Sequence, residues 1–332
     1  MMLHSHTGCS NHPAHPIRAA LALLVLICLA GCAPTPETPL RVATIPWPGY
    51  ESLHLAQSLS YFQPVQIRLT EMANNSQVSL ALRNGTLEAG LITLDEALNL
   101  IQDGVDLRVV LVMDVSNGAD VVLARPGIAN LQALRGKRVA VENAAVGAMM
   151  LDAMLQHSGL KVSDIQLLTA TVDEHARIYQ SGKADAVVTF EPVRSALLKL
   201  GAHVLFDSSL IPDRILDVLV VRADKMAEHR QALKELAAAH FRALDYQARQ
   251  PQDAAKRIAP YLGVPAAEVA AQYDGIKIPG LAENHALLSG NQARLKTTAA
   301  GLADLMLRHK LLVHAVDTEH LVEPMFLPAH SQ

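Results

Sequence analysis

Trp47 and Tyr50 bracket the tetrapeptide Trp-Pro-Gly-Tyr, and Trp47 is the chain's single tryptophan. The residues before it, 42–45, form a short apolar run rich in β-branched side chains and predict a strand. Pro46, Pro48 and Gly49 stop that strand, because proline removes ladder donors and glycine permits a sharp turn. Residues 51–59 then resume at helical spacing. Ligands of open α/β sheets bind beyond the carboxyl ends of the strands. An aromatic pair on such a corner is a candidate ligand wall, and Gly49 lets the backbone approach.

Four further strand-to-helix corners carry polar groups, at residues 74–76, 93–95, 142–146 and 189–192. They offer Ser76, Thr93, Asn143 and Glu191 as candidate contacts, with helix N-termini beside them. Glu142 and Glu191 are of most interest, since acids beside a crevice favour amines, amidines or hydroxyls over anions. Each residue also has an ordinary role as a cap or turn former. Ser76 reads as the cap of the helix that follows it, and Asp173 as the cap of another.

Catalytic patterns are missing. The chain has no G-x-S-x-G elbow, no H-E-x-x-H and no G-x-x-x-x-G-K-[ST]. Asp173-Glu174-His175 cannot converge as a triad, because successive helical residues point in different directions. His240 lies on an apolar helical stripe and reads as a core histidine. No metal or cofactor is expected, and the protein is read as a non-enzyme.

The elements that must position these corners alternate along the chain. Strand patterns at 65–70, 89–93, 107–113, 119–124, 137–141, 165–169, 186–189, 204–206 and 216–221 are separated by helical ones. That order predicts an α/β fold with mostly parallel sheets. Two segments break the rhythm, the polar stretch 114–118 and residues 211–216, and both read as crossovers between lobes. From residue 224 onward the pattern is helical, with Pro251 and Pro265 each opening a helix at its first turn.

Four pieces in this order carry a resemblance: W-P-G-Y at 47–50, L-R-N-G-T-L-E-A-G at 82–90, L-R-G-K-R-V-A-V at 134–141 and S-G-K-A-D-A-V-V-T-F-E-P at 181–192. Residues 40–300 resemble the periplasmic substrate-binding proteins of the nitrate/sulfonate/taurine and thiamine-precursor type, the SsuA/THI5-like or NMT1-like family. The resemblance implies a type II periplasmic-binding-protein fold, with two doubly wound lobes joined by two crossovers and a helical C-terminal part. It places lobe 1 at 40–114 plus 222–332 and lobe 2 at 115–221. It implies hinge closure on a small solute and delivery to an ABC permease, by a monomer. The binding positions it implies are Trp47, Gly49, Tyr50, Ser76, Thr93, Asn143, Glu191 and Asp217.

One departure bears on the solute. Oxyanion-binding relatives usually carry hydroxyls where this chain has N-A-A-V-G at 143–147. The solute is therefore either a sulfonate- or nitrate-type anion held by backbone amides, or a nitrogenous compound such as a pyrimidine. Two other functions stay open on the same fold, a ligand-sensing subunit of a membrane signalling protein and a biosynthetic enzyme.

The N-terminus predicts export. Arg18 precedes an apolar run at 19–30 that is too short to span a bilayer, and the run ends in Leu29-Ala30-Gly31-Cys32. That ending resembles a bacterial lipobox, with residues 1–31 a lipoprotein signal peptide, Cys32 the acylated residue and 32–39 a Pro/Thr-rich tether. Cleavage would remove Cys9 and Cys28, so no intrachain disulfide is possible. It would also remove His4, His6, His12 and His15, which otherwise look like a metal tract. The whole chain has 28 basic against 32 acidic residues and no basic stripe, which argues against nucleic acid. The expected location is the periplasmic face of a bacterial membrane.

Overall fold

The computed structural model describes residues 1–2, 38–290 and 293–329. It separates into two units, Met1–Thr38 and Pro39–Gln332. Residues 3–31 of the expected signal peptide, Cys32 and tether residues 33–37 lie outside the described residues. All that follows concerns the second unit.

Two sheets form its two lobes. The first contains β1 (Leu40–Thr44), β2 (Ile67–Glu71), β3 (Ala89–Thr93), β4 (Leu107–Ser116), β10 (Leu216–Arg222) and β11 (Ile276–Lys277), in the order β11-β4-β10-β3-β1-β2. The second contains β5 (Val121–Ala124), β6 (Arg138–Val141), β7 (Gln166–Thr169), β8 (Ala186–Thr189) and β9 (His203–Asp207), in the order β7-β6-β8-β5-β9. Each sheet has three parallel strands, β2-β1-β3 and β7-β6-β8. Each also has an antiparallel neighbour fed by a crossover, β10 in the first and β5 in the second. The sheets are thus mixed where a mostly parallel arrangement was expected, because strands re-entering from the other lobe run the opposite way.

The central strands are buried on both faces, as their unbroken apolar runs dictate. β3 and β5 are buried throughout, whereas the edge strands β2 and β7 are half-exposed. Long β4 would present a bare outer edge, and three segments cover it. β11 pairs with its end, Asn284 bridges the N–H and C=O of Val112 at 2.8 and 3.1 Å, and Leu321 and Glu323 bond Val109 at 2.7 and 2.9 Å. Capping an edge this way removes a template for unwanted strand pairing.

Helices fill the connections. α1 (Glu51–Ser58), α2 (Asn75–Arg83) and α3 (Leu94–Gln102) belong to the first lobe. α4 (Ala145–Ser158), α5 (Val172–Gln180) and α6 (Val193–Lys199) belong to the second. The C-terminal part adds α7 (Arg230–Arg249), α8 (Pro251–Leu262), α9 (Val269–Gln272), α10 (Leu281–Leu288) and α11 (Arg294–Arg308). α7 lays Leu233, Leu236, Ala237 and His240 on α1, where Ser52 Oγ meets His240 Nδ1 at 2.7 Å. His240 is a fully buried core histidine, and burial pushes it down to about 3.

Two caps differ from expectation. Asn74 rather than Ser76 caps α2, accepting from Gln77 N–H at 3.1 Å, so Ser76 falls in the first turn. Thr171 occupies the cap position of α5, and Asp173 lies one residue inside that helix.

Candidate functional site

The chain leaves the first sheet after β4 and enters the second at β5; it returns from β9 to β10. The crevice between the lobes opens beside these two passages. The β1–α1 corner forms one wall. Trp47 is extended, a short 3₁₀ turn covers Pro48–Tyr50, and Tyr50 N–H donates to Trp47 C=O at 2.9 Å. Both rings are almost fully buried. The Trp47 indole N–H donates to Asp114 Oδ2 at 2.9 Å, and the Tyr50 hydroxyl donates to Asp217 Oδ1. Across the gap, Phe190 follows β8 and meets Trp47 edge-to-face, with centroids 5.5 Å apart and planes at 88°. Such pairs contribute about 1 kcal/mol beyond area burial.

Gly49 makes this corner possible. A Cβ there would lie 1.7 Å from Asp114 Oδ2 and 2.7 Å from Trp47 Nε1. Its role is to admit the Trp47–Asp114 bond, and it does not line the crevice.

Between the aromatic walls lies a space of about 10 Å³, roughly room for one water. Its polar lining is Asn75, Thr93, Asp120 and Asp217, with Ile45, Val146 and Ile215 filling the rest. Thr93 begins α3 and its backbone N–H donates to Glu96 at 3.1 Å. Of the sequence candidates, Trp47, Tyr50, Thr93 and Asp217 converge here. Ser76, Asn143 and Glu191 do not.

Those three are occupied elsewhere. Ser76 N–H and Oγ donate to Glu142 Oε1 at 3.2 and 3.0 Å, joining the two lobes. Asn74 Nδ2 adds a parallel link to Asp173 Oδ1 at 3.2 Å. Asn143 lines a wider groove of about 840 Å³ on the far side of that bridge, together with Ser76, Glu96 and Asn99. The cation of that groove, Arg83, is paired with Asp103. Glu191 is wholly buried and accepts from Arg194 at 2.8 Å and from Ser195 N–H and Oγ at 2.9 Å each. Its oxygens hold the first turn of α6.

The residues that sequence reasoning missed are Asn75, Asp120 and Phe190. Asp120 was marked only by an acid standing directly before an apolar strand. Asn75 and Phe190 adjoin residues that were singled out, one position away in each case.

Carboxyls dominate the electrostatics. Burial, followed by the charge of Asp114, pushes Asp217 well above the usual carboxylate range, and burial also lifts Asp114 against the Trp47 hydrogen bond. Burial pushes Asp120 up to about 7 despite a hydrogen bond from Ser116, and Asp114 and Asp95 add to the rise. Glu142 is raised by burial, and Glu96 is pushed up to about 8 by burial and by Asp95. Nearby His175 is pushed down to about 4 by burial, so it supplies no charge at neutral pH. Among the described residues, no Lys or Arg lines the crevice. Tyr50 is raised far above its ordinary value by burial and by Asp217, and so serves as a donor.

Comparison with known proteins places this architecture. The model of the NMT1-like family matches residues 33–263. The taurine-binding periplasmic protein of Escherichia coli (strain K12) is 25% identical over 235 residues, covering 68% of this chain and 70% of that one. The alkanesulfonate-binding protein SsuA from Xanthomonas axonopodis pv. citri, solved with MOPS bound, superposes with a TM-score of 0.71 at 21% identity, over 86% of this chain and 97% of its own. The desulfurization enzyme DSZB has the same fold at a TM-score of 0.61 and 17% identity, over 87% and 97% of the two chains. The two-lobed architecture and the family match agree, and the chain belongs to the NMT1-like family.

Proposed function

We propose that this chain is an exported, lipid-anchored solute-binding protein that closes its two lobes on a small polar solute and hands it to an ABC importer. The observation that carries this reading is the convergence on one crevice of Trp47 and Tyr50 from the first lobe with Phe190, Val146 and Asp120 from the second. A site assembled from both lobes gains contacts only when they meet, so a solute shifts the balance toward closure by its differential affinity. The proposed boundaries are 40–114 plus 222–332 for lobe 1 and 115–221 for lobe 2, with residues near 114–118 and 211–216 as the hinge.

A binding role fits the crevice better than catalysis does. Tyr50 and Trp47 spend their donors on Asp217 and Asp114, and among the described residues no lysine or histidine lines the space. The periplasmic face of a bacterial membrane is the proposed location, with the lipid on Cys32 and the mature protein acting as a monomer. Cys32→Ser should release the protein from membranes and abolish fatty-acid labelling; a fully membrane-bound variant would refute the anchor.

The binding reading is tested by a thermal-shift screen of small polar solutes on wild type and Phe190→Ala. At least one solute should stabilise the wild type and lose tenfold or more in affinity in the variant. A solute that binds both equally would place the site elsewhere, and turnover of a bound solute would restore the enzyme reading.

A further inference from the structure

We infer that the solute is a small organic cation bearing N–H donors, a primary ammonium or an amidinium, held by Asp120 and Asn75 between the aromatic walls. This rests on the interlobe crevice being the binding site and adds the chemical class of its occupant.

The inference follows from an inventory of donors and acceptors. Indole has one N–H and phenol one O–H, and both of those in the crevice are committed to the hinge-strand acids. What remains is acceptor capacity and the unpartnered hydroxyl of Thr93. Asn75 is 5% exposed and lines the crevice, and its Oδ1 has no hydrogen-bond partner. Buried side-chain acceptors are rarely left unpaired, since doing so forfeits solvation without compensation. Asp120 is 4% exposed and lines the same space, where no described residue supplies a cationic side chain.

The groups around Asp120 sharpen the contrast. Asp114, Asp95 and Asp217 face it electrostatically from the first lobe. Within the second lobe, Glu142 and His175 line the space behind it. An anion entering here would meet carboxyls from both lobes, and an acceptor-rich neutral solute would find one unpartnered side-chain hydroxyl, that of Thr93. A protonated amine or amidine offers N–H donors to Asn75 Oδ1 and to Asp120, beside the rings of Trp47, Tyr50 and Phe190.

The test is isothermal titration of the full-length protein at pH 8 with ethylammonium, acetamidinium, ethanesulfonate and nitrate. At least one of the two cations should bind saturably, and both anions should fail to bind. Asp120→Asn and Asn75→Ala should each weaken cation binding by tenfold or more, with folding checked by circular dichroism. Because Asn75 contributes through one neutral oxygen, its variant keeps the test valid if the Asp120 variant does not fold. Saturable binding by neither cation, or unchanged cation affinity in both variants, would overturn the inference. Ethanesulfonate or nitrate binding that depends on Phe190 would overturn the cation while leaving the solute-binding role intact.

Discussion

Asp114 and Asp217 stand directly opposite each other in the register of β4 and β10, the strand that leaves the first lobe and the strand that returns to it. Each receives one aromatic side chain from the same corner, Trp47 on Asp114 and Tyr50 on Asp217. The proposed ligand wall is therefore tied to the strand that leaves the first lobe and to the strand that returns to it. Burial, followed by the charge of Asp114, raises Asp217 well above the usual carboxylate range, as expected for two acids held side by side in a dry place.

Gly49→Ala should break this arrangement. The new methyl group would overlap Asp114 Oδ2, and neither the strand nor the 3₁₀ turn can yield easily. The expected loss is about 1–3 kcal/mol, the range for overpacking a dense site. Urea unfolding measures it, and a shifted Trp47 emission should accompany it. Unchanged stability and emission would show that the corner is looser than described.

Asp120 gives a pH signature. Its folded-state value, near 7, lies above the usual carboxylate range. The stability it permits is fully present below about pH 4 and is lost as pH rises through 7. Asp120→Asn removes that loss. Without added solute, the variant should match wild type at pH 4 and exceed it at pH 8, by on the order of 4 kcal/mol. Unfolding curves at the two pH values decide this, and a pH-independent difference would contradict it. The buried histidines affect both proteins alike and cancel in the comparison.

The Ser76–Glu142 bridge crosses between lobes. Ser76→Ala deletes the hydroxyl bond but keeps the backbone N–H. One such bond contributes about 1 kcal/mol, so the ratio of open to closed molecules should rise about fivefold. Small-angle scattering reads this as a larger radius of gyration, and an unchanged radius would mean that the bridge does not govern opening.

Much of the fold was legible because the patterns were strong. The apolar run of β4 and the stop at Pro46-Trp47-Pro48-Gly49 are one-dimensional signals, and the structure follows them. The site was harder to read because its residues are chosen by where their partners lie. Glu191 looked free in sequence, yet Arg194 and Ser195 of its own helix saturate it. Ser76 looked like a cap and is instead half of an interlobe bridge, while Asn74 does the capping. Asp120 gained its importance only when β5 entered the second sheet antiparallel to β8 and brought it opposite the Trp47 corner. β11, two residues long, leaves no periodicity to detect.

The proposed solute enters the crevice beside the Trp47–Phe190 contact and holds the lobes together. Because Trp47 is the only tryptophan, its emission reports on that corner alone. Titrating acetamidinium or ethylammonium while recording Trp47 emission and small-angle scattering on the same sample tests the claim most directly. The account predicts a saturable emission change and a fall in radius of gyration with one shared midpoint, both abolished by Asp120→Asn. Saturable binding that leaves emission and radius unchanged would contradict it.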